Sequence, residues 1–128
     1  MTTAKPESRL QRRIQAALHE AFPGCWTFKV HVDHFTAEGT PDLLACIEGL
    51  FFGFEVKVDD DDAPTELQAY NIRQINRAGG VAASITSPEQ AVALVRKALA
   101  VKKRPTMQEI ADEIQASERE FRPHRRLT

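Results

Sequence analysis

Three charged residues, Asp42, Glu55 and Lys57, are the strongest candidates for chemistry in this chain. A hairpin turn is expected between them, at Glu48-Gly49. A two-residue turn would place Asp42 directly opposite Glu55, where two like charges destabilise a sheet. A divalent cation between the two carboxylates is the simplest explanation for such a pair. Lys57 follows Glu55 by two residues, so we expect it on the same face of the strand.

Two alternatives to this pairing remain open. Glu-Gly is a weaker hairpin signal than Asn-Gly or Asp-Gly, and a one-residue bulge would place Asp42 diagonal to Glu55, still within reach of one cation. Asp42, Glu55 and Lys57 could also be ordinary charged residues at a strand end on the protein surface. The neighbouring sequence argues against that alternative, because it is apolar and predicts a buried hairpin in which unpaired charges are costly; these residues are Leu43–Ile47, Phe51, Phe52 and Phe54.

The residue types indicate which cation and which reaction to expect. Oxygen ligands without histidine favour Mg²⁺ or Mn²⁺ over zinc. Asp42 and Glu55 would supply carboxylates, and the backbone carbonyl of Val56 a third ligand. Lys57 would orient a bound water or lower its pKa, and would neutralise charge that develops on a phosphate. This combination suits the hydrolysis of a phosphodiester.

The elements that position these residues follow from the hydrophobic pattern. The pattern predicts the order αβββαβα with an added C-terminal helix, and therefore an α/β fold with a small mixed sheet of about four strands flanked by helices. A strand, a crossover helix and a second strand over residues 51–86 imply a parallel pair. Helices are expected at residues 7–21, 66–78, from 88 onward and 106–121, and strands at 26–31, on both sides of Glu48-Gly49 and at 81–86.

Composition and charge limit the classes of function. The chain has 128 residues, of which 42% are hydrophobic and 27% charged, as in one soluble globular domain with an appendage. It shows neither a transmembrane run nor the apolar core of a signal peptide, so we expect no membrane association and a cytoplasmic location. Residues 1–95 carry 8 Lys/Arg against 13 Asp/Glu, and residues 96–128 carry 9 against 5. Only the C-terminal part therefore gives some support for nucleic-acid binding.

The two cysteines predict no special chemistry. Cys25 and Cys46 are far apart and the chain has no CxxC motif, so we expect neither a structural zinc site nor a disulfide in a reducing compartment. Cys46 lies in an apolar strand and is expected to be a small core residue.

Several motifs together carry a resemblance to a known family. The stretches Gly39-Thr40-Pro41-Asp42 and Phe54-Glu55-Val56-Lys57, with Gln68 in the next predicted helix, resemble the PD-(D/E)XK nuclease superfamily. The match is closest to its VRR-NUC branch, which is common in phages and related to Holliday junction resolvases. Glu7, followed by Leu10-Gln11, fits the glutamate of the family's first helix. The resemblance covers roughly residues 7–96 and includes the closing strand and helix.

The resemblance implies a fold, an activity and a set of site residues. It implies a restriction-endonuclease-like core in a nuclease domain at residues 1–100, with a linker, C-terminal helix and basic tail at 101–128. The implied enzyme is a Mg²⁺- or Mn²⁺-dependent DNA endonuclease. The implied catalytic residues are Asp42, Glu55, Lys57 and Gln68, and the implied metal ligands or their partners are Glu7, Asp42, Glu55 and Val56. Contacts with DNA are expected from Arg9, Arg12, Arg13, His34 and Thr40.

Each of these roles has a plainer alternative. Glu7 could only compensate the helix dipole, Gln68 could face solvent, and Lys57 could be a surface lysine. The sequence His31, Asp33, His34 is not a recognised zinc pattern. The run Asp59–Asp62 could point away from the site or could disfavour the entry of duplex DNA.

The expected substrate is branched DNA such as a Holliday junction, by analogy with the family. Cutting two strands in a coordinated way needs two sites, so we expect a homodimer. Phe51-Phe52 and the C-terminal helix are candidate interface elements, although both could equally belong to the core. The alternative function is a catalytically idle nuclease fold that acts as a DNA-binding or assembly module.

Overall fold

The computed structural model describes residues 5–31, 38–102 and 105–121. The predicted order αβββαβα with a C-terminal helix is confirmed, and each element lies within a few residues of its expected position. The elements are α1 (Pro6–Ala21), β1 (Trp26–Lys29), β2 (Leu43–Ile47), β3 (Leu50–Val56), α2 (Glu66–Arg77), β4 (Val81–Ile85), α3 (Pro88–Val101) and α4 (Met107–Phe121).

The four strands form one mixed sheet in the order β1-β2-β3-β4. The first two pairings are antiparallel, and β3 pairs with β4 in parallel across the α2 crossover. Ile47 lies opposite Leu50, so the β2–β3 hairpin has the predicted two-residue turn. Both turn residues have positive φ, 50° at Glu48 and 82° at Gly49, which is the backbone of a type I′ turn.

Helices cover both faces of the sheet. Alternate residues of β3 are fully buried on the face covered by α1 and α3, where Phe52 and Phe54 stack with ring centroids 5.8 Å apart. Ile14 of α1 and Val95 of α3 belong to the same core. On the other face α2 packs against β3 and β4. Gly53 allows this approach, because a Cβ there would lie 3.1 Å from Ile75 Cδ1.

Two predictions of burial are wrong, because α2 covers its face of the sheet only in part. Cys46 was expected in the core and is exposed. Phe51 lies opposite Cys46, on the same face, and is 40% exposed. Phe52 points to the opposite face and is fully buried, so it belongs to the core and not to an interface. Trp26 and Phe28, on the half of this face that β1 and β2 form, are also exposed.

The C-terminal helix stands apart from the rest of the described chain. Every side chain from Met107 to Glu120 is exposed, including Ile110 and Ile114. Just before it, Lys102 Nζ donates to the carbonyl oxygens of Gly79 and Gly80, which anchors the end of α3 beside the start of β4. In the described ranges, none of the helices combines the length and the apolar character that crossing a membrane requires.

Candidate active site

Asp42 is held at the end of the β2–β3 ladder. The ladder runs to the pair Leu43–Phe54, so Asp42 and Glu55 occupy the next position on each strand, as predicted. The backbone N–H of Val56 donates to Asp42 Oδ2 at 2.8 Å. On the other side, Val30 N–H donates to the backbone carbonyl of Asp42 at 2.9 Å. These two bonds fix both the backbone and the carboxylate of Asp42.

Glu55 is a buried carboxyl group with one bonded and one unpartnered oxygen. Its residue is 1% exposed. Oε1 accepts a hydrogen bond from Gln68 Nε2 at 2.9 Å and lies 3.9 Å from Lys57 Nζ. Oε2 is buried and has no hydrogen-bond partner among the described residues. A buried unpartnered oxygen is costly, so this atom is suited to bind a proton or a cation.

The electrostatics of the site centre on Glu55. Burial is the main cause that raises the pKa of Glu55 to about 8, and the neighbouring Asp42 carboxyl group raises it further, whereas Lys57 opposes the shift. Two carboxylates this close repel each other in a low-dielectric environment. Without a cation, Glu55 is therefore mainly protonated at neutral pH.

Glu7 belongs to the same charged cluster. Burial raises the pKa of Glu7, and the Asp42 carboxylate is the next largest cause. Gln11, one turn further along α1, donates from Nε2 to Glu7 Oε1 at 3.4 Å. Gln11 is only 6% exposed, and its burial was not predicted. Its place beside Leu10 on the buried side of α1, with Ile14 and Leu18, was the signal that could have shown it.

Lys57 and Gln68 meet at the start of α2. Lys57 Nζ donates to Gln68 Oε1 at 3.2 Å, and the lysine side chain is 12% exposed. Gln68 also takes part in a capping box with Thr65, the N-cap of this helix. The plainer alternatives, a surface lysine and a solvent-facing glutamine, are therefore wrong.

The acidic run Asp59–Asp62 does not simply point away from the site, which was the plainer of its two alternatives. Asp60 Oδ1 accepts a hydrogen bond from Thr86 Oγ1 at 3.1 Å, which ties the loop to the end of β4. The charge of Asp62 contributes to the raised pKa of Glu7. The last aspartate of the run therefore makes the surroundings of Glu7 more negative.

The other predicted residues lie around this centre. Val56 directs its N–H toward Asp42, and because N–H and C=O of an extended residue point to the same side, its carbonyl points there too. Thr40 is half-buried, two positions before Asp42, and the exposed Arg9, Arg12 and Arg13 lie along α1. Asp33, His34 and the basic tail lie outside the described residues.

The donor set fits a hard divalent cation. In the part of the chain that the structure describes, no group of three or more His, Cys, Asp or Glu side chains is arranged to hold a metal ion. Magnesium, however, uses one or two carboxylates and keeps several waters. Asp42 and the unpartnered Glu55 Oε2 meet that need, with the Val56 carbonyl beside them. Glu7 adds negative charge without completing a three-carboxylate site.

Comparison with solved structures identifies the fold. A solved chain described as a VRR_NUC domain matches this protein with a TM-score of 0.60, over 73% of this chain and 97% of the other. The chain has the fold of a VRR_NUC domain. The two sequences are 23% identical, so the match establishes the fold, and the chemistry rests on the geometry described above. No protein-family model matches the sequence, and a search of curated proteins finds no match.

The VRR_NUC fold confirms the architecture that the sequence motifs implied. The αβββαβα order and the mixed four-stranded sheet are those of the predicted α/β class. Within this fold the structure gathers Glu7, Asp42, Glu55, Lys57 and Gln68 into one cluster, although they come from α1, β3, α2 and the segment before β2.

Proposed function

We propose that this chain is a metal-dependent endonuclease that hydrolyses DNA phosphodiester bonds. The observation that carries the proposal is the buried Glu55, paired with Asp42 on one side and linked to Lys57 through Gln68 on the other. A purely structural site has no need of a buried carboxyl pair whose repulsion must be relieved by a proton or a cation. In a metal-dependent phosphodiesterase such carboxylates would hold the cation, and the ammonium group beside them would stabilise charge on the phosphate.

Asp42, Glu55 and the Val56 carbonyl are the groups that would hold Mg²⁺ or Mn²⁺. When bound, the cation would supply an activated water and stabilise negative charge on the phosphate. A cation would also offset the repulsion between Glu55 and Asp42, which together with burial raises the pKa of Glu55. Cation binding should therefore release a proton at neutral pH.

Lys57 would act on the scissile phosphate. Its ammonium group donates to Gln68 Oε1 at 3.2 Å and has further N–H groups available for a phosphate oxygen or an attacking water. The amide bridge keeps it from closing fully onto Glu55, whose Oε1 is 3.9 Å away. The ammonium group would stabilise the negative charge that grows on the phosphate in the transition state.

The charges around the site bear on the substrate. Arg9, Arg12 and Arg13 are exposed on α1, the helix that carries Glu7. They are the proposed contacts to DNA phosphates, together with Thr40 and with His34, which lies outside the described residues. The negative charge of the Asp59–Asp62 run, whose member Asp62 acts on Glu7, would repel a continuous duplex. Branched DNA, such as a Holliday junction, is therefore the proposed substrate.

A homodimer would bring two such sites together. Among the described residues, exposed apolar side chains form a stripe of Met107, Ile110 and Ile114 on α4 and an aromatic face of Trp26, Phe28 and Phe51. The helix has 15 residues and so is about 22 Å long and about 10 Å wide. Three neighbouring strands span about 10 Å. We propose that α4 of each copy packs on the aromatic face of the other, which gives a closed two-fold dimer.

The experiment that tests the function is a substrate panel. Labelled four-way junction, flap, single-stranded and duplex DNA are incubated with Mg²⁺, Mn²⁺ or EDTA. Junction cutting that needs the metal is the expected result. Equal cutting of all substrates would retain the nuclease and remove the branched preference. DNA binding without cutting of any substrate would favour the idle binding module instead.

A further inference from the structure

One side chain joins the start of α2 to the candidate active site. Thr65 Oγ1 accepts from the backbone N–H of Gln68 at 3.2 Å, and Thr65 N–H donates to Gln68 Oε1 at 2.9 Å. The same amide oxygen accepts from Lys57 Nζ at 3.2 Å, and the amide nitrogen donates to Glu55 Oε1 at 2.9 Å. The Gln68 amide is therefore half of a capping box and also the bridge between Glu55 and Lys57.

The N–H of Thr65 determines which end of this amide faces which partner. A backbone N–H and an ammonium group are both donors, so both require the amide oxygen. The amide nitrogen is then left facing Glu55, which accepts. The reverse orientation would place the NH₂ group against two donors and the oxygen against a carboxyl oxygen, and would lose the three hydrogen bonds.

We propose that Thr65 is a positioning residue for the reaction. Its capping box holds the Gln68 amide in the orientation that sets Lys57 and Glu55, and it acts through Gln68. The backbone N–H of Thr65 selects the amide orientation, and its hydroxyl fixes the first turn of α2 so that the amide stays within reach. The inference deepens the proposed nuclease function and rests on it.

The chain offers two matched controls for a lost cap. Thr106 forms a capping box with Glu109 at the start of the exposed helix α4, with bonds of 2.7 and 3.1 Å. Ser87 caps the packed helix α3, where its Oγ accepts from Gln90 N–H at 3.1 Å. Gln90 Oε1 accepts from the backbone N–H of Thr86, so it bridges no pair equivalent to Glu55 and Lys57.

The first test is steady-state cleavage of labelled four-way junction DNA in Mg²⁺. Thr65→Ala should lower kcat about tenfold with KM unchanged, as expected when one orienting hydrogen bond is lost. Thr65→Ser, which keeps the hydroxyl, should restore the rate. Ser87→Ala should lower Tm about as much as Thr65→Ala does, by about 3 to 6 °C, yet leave kcat unchanged. Thr106→Ala should also leave kcat unchanged. Equal kcat for Thr65→Ala and Ser87→Ala would overturn the proposal.

A second readout is independent of cleavage. In the NMR spectrum of the metal-free chain, the Gln68 side-chain amide should exchange slowly with solvent in the wild type, in Thr65→Ser and in Ser87→Ala. It should exchange quickly in Thr65→Ala, and unchanged protection there would contradict the positioning role. A wild-type chain that cuts no DNA would overturn the proposed function, while the amide readout would still decide whether Thr65 sets the geometry of Glu55 and Lys57.

Discussion

Gln68 Nε2 donates to Glu55 Oε1 at 2.9 Å, which gives the two carboxyl oxygens of Glu55 different roles. Oε1 is engaged by the protein, through Gln68 and through Lys57 at 3.9 Å. Oε2 is buried and has no hydrogen-bond partner among the residues that the structure describes. One oxygen therefore orients the side chain, and the other remains for a proton or a cation.

The raised pKa of Glu55 makes the stability of the metal-free chain depend on pH. Its folded pKa of about 8 lies above the ordinary value of 4.5, so the folded state keeps a proton that the unfolded state releases between those values. This stabilisation is fully present below the unfolded pKa and is lost as the pH rises through about 8. The loss is at most about 1.4 kcal/mol per pH unit.

Thermal unfolding in EDTA measures this dependence. Tm should fall between about pH 5 and about pH 8, and Glu55→Gln, which stays neutral, should remove most of the fall. A smaller slope should remain because the pKa of Glu7 is also raised. Glu89→Gln, at an exposed position in the first turn of α3, should keep the wild-type slope. The same slope in Glu55→Gln would show that Glu55 does not bind the proton.

Gly39 is required for the approach of α2 to the segment before Asp42. A Cβ at position 39 would lie 2.6 Å from Leu67 Cγ and 2.9 Å from the Leu67 backbone carbon, and φ is +80°. Gly39→Ala should lower the free energy of unfolding by about 2 to 4 kcal/mol, through backbone strain together with overpacking. It should also slow cleavage, because α2 carries Gln68.

Gly24 provides the matched control for Gly39→Ala. Its φ is +89°, but a Cβ there would have no atom within 4 Å. Gly24→Ala should therefore cost only the backbone strain, about 1 to 2 kcal/mol, with unchanged cleavage. Urea unfolding of both variants gives the comparison, and equal losses would refute the role of close packing at Gly39.

The acidic run should act as an electrostatic filter on the substrate. Replacing Asp59 to Asp62 with asparagine should raise kcat/KM for plain duplex about tenfold at low salt and change junction cleavage much less. Asp62→Asn alone should account for more of the effect than Asp61→Asn, because Asp62 is the aspartate whose charge acts on Glu7. Cleavage assays on both substrates decide this, and an unchanged substrate profile would count against the filter.

The proposed dimer depends on the apolar stripe of α4. One chain has a mass of 14.3 kDa, and light scattering after size exclusion should give about twice that value for the wild type. Ile110→Asp, Ile114→Asp and, on the aromatic face, Phe51→Asp should each give monomers, because a charge at a buried apolar contact is costly. Ala116→Asp, an exposed position on the opposite side of α4, should stay dimeric. A monomeric wild type would reject the interface.

Local signals in the sequence were sufficient for the elements and for most of the site. The two-residue turn at Glu48-Gly49 determined the register that brings Asp42 beside Glu55. Alternation along β3 placed Glu55 and Lys57 on one face, and the hydrophobic pattern placed Gln68 in the helix that follows. These features depend on residues close in the chain, which is why they could be predicted.

Features that depend on distant packing could not be predicted in this way. Cys46 and Phe51 have the pattern of buried strand residues, yet α2 packs over β3 and β4 and leaves their side of the face open. The loop after β3 carries Asp60, which is hydrogen-bonded to Thr86 at the end of β4, and Asp62, whose charge acts on Glu7 of α1; neither relationship is local in the sequence. The amide orientation of Gln68 depends on three partners from different segments.

The most direct test of the central claim is single-turnover cleavage of four-way junction DNA by site variants and matched controls. We expect wild-type cutting with Mg²⁺ or Mn²⁺ and none with EDTA. Glu55→Gln and Lys57→Ala should each slow cutting at least about a hundredfold, because each removes a group that stabilises the transition state or its cation. Glu89→Gln and Lys97→Ala, at exposed positions on α3, should cut at the wild-type rate. Wild-type rates in Glu55→Gln and Lys57→Ala, or cutting that persists in EDTA, would contradict the account.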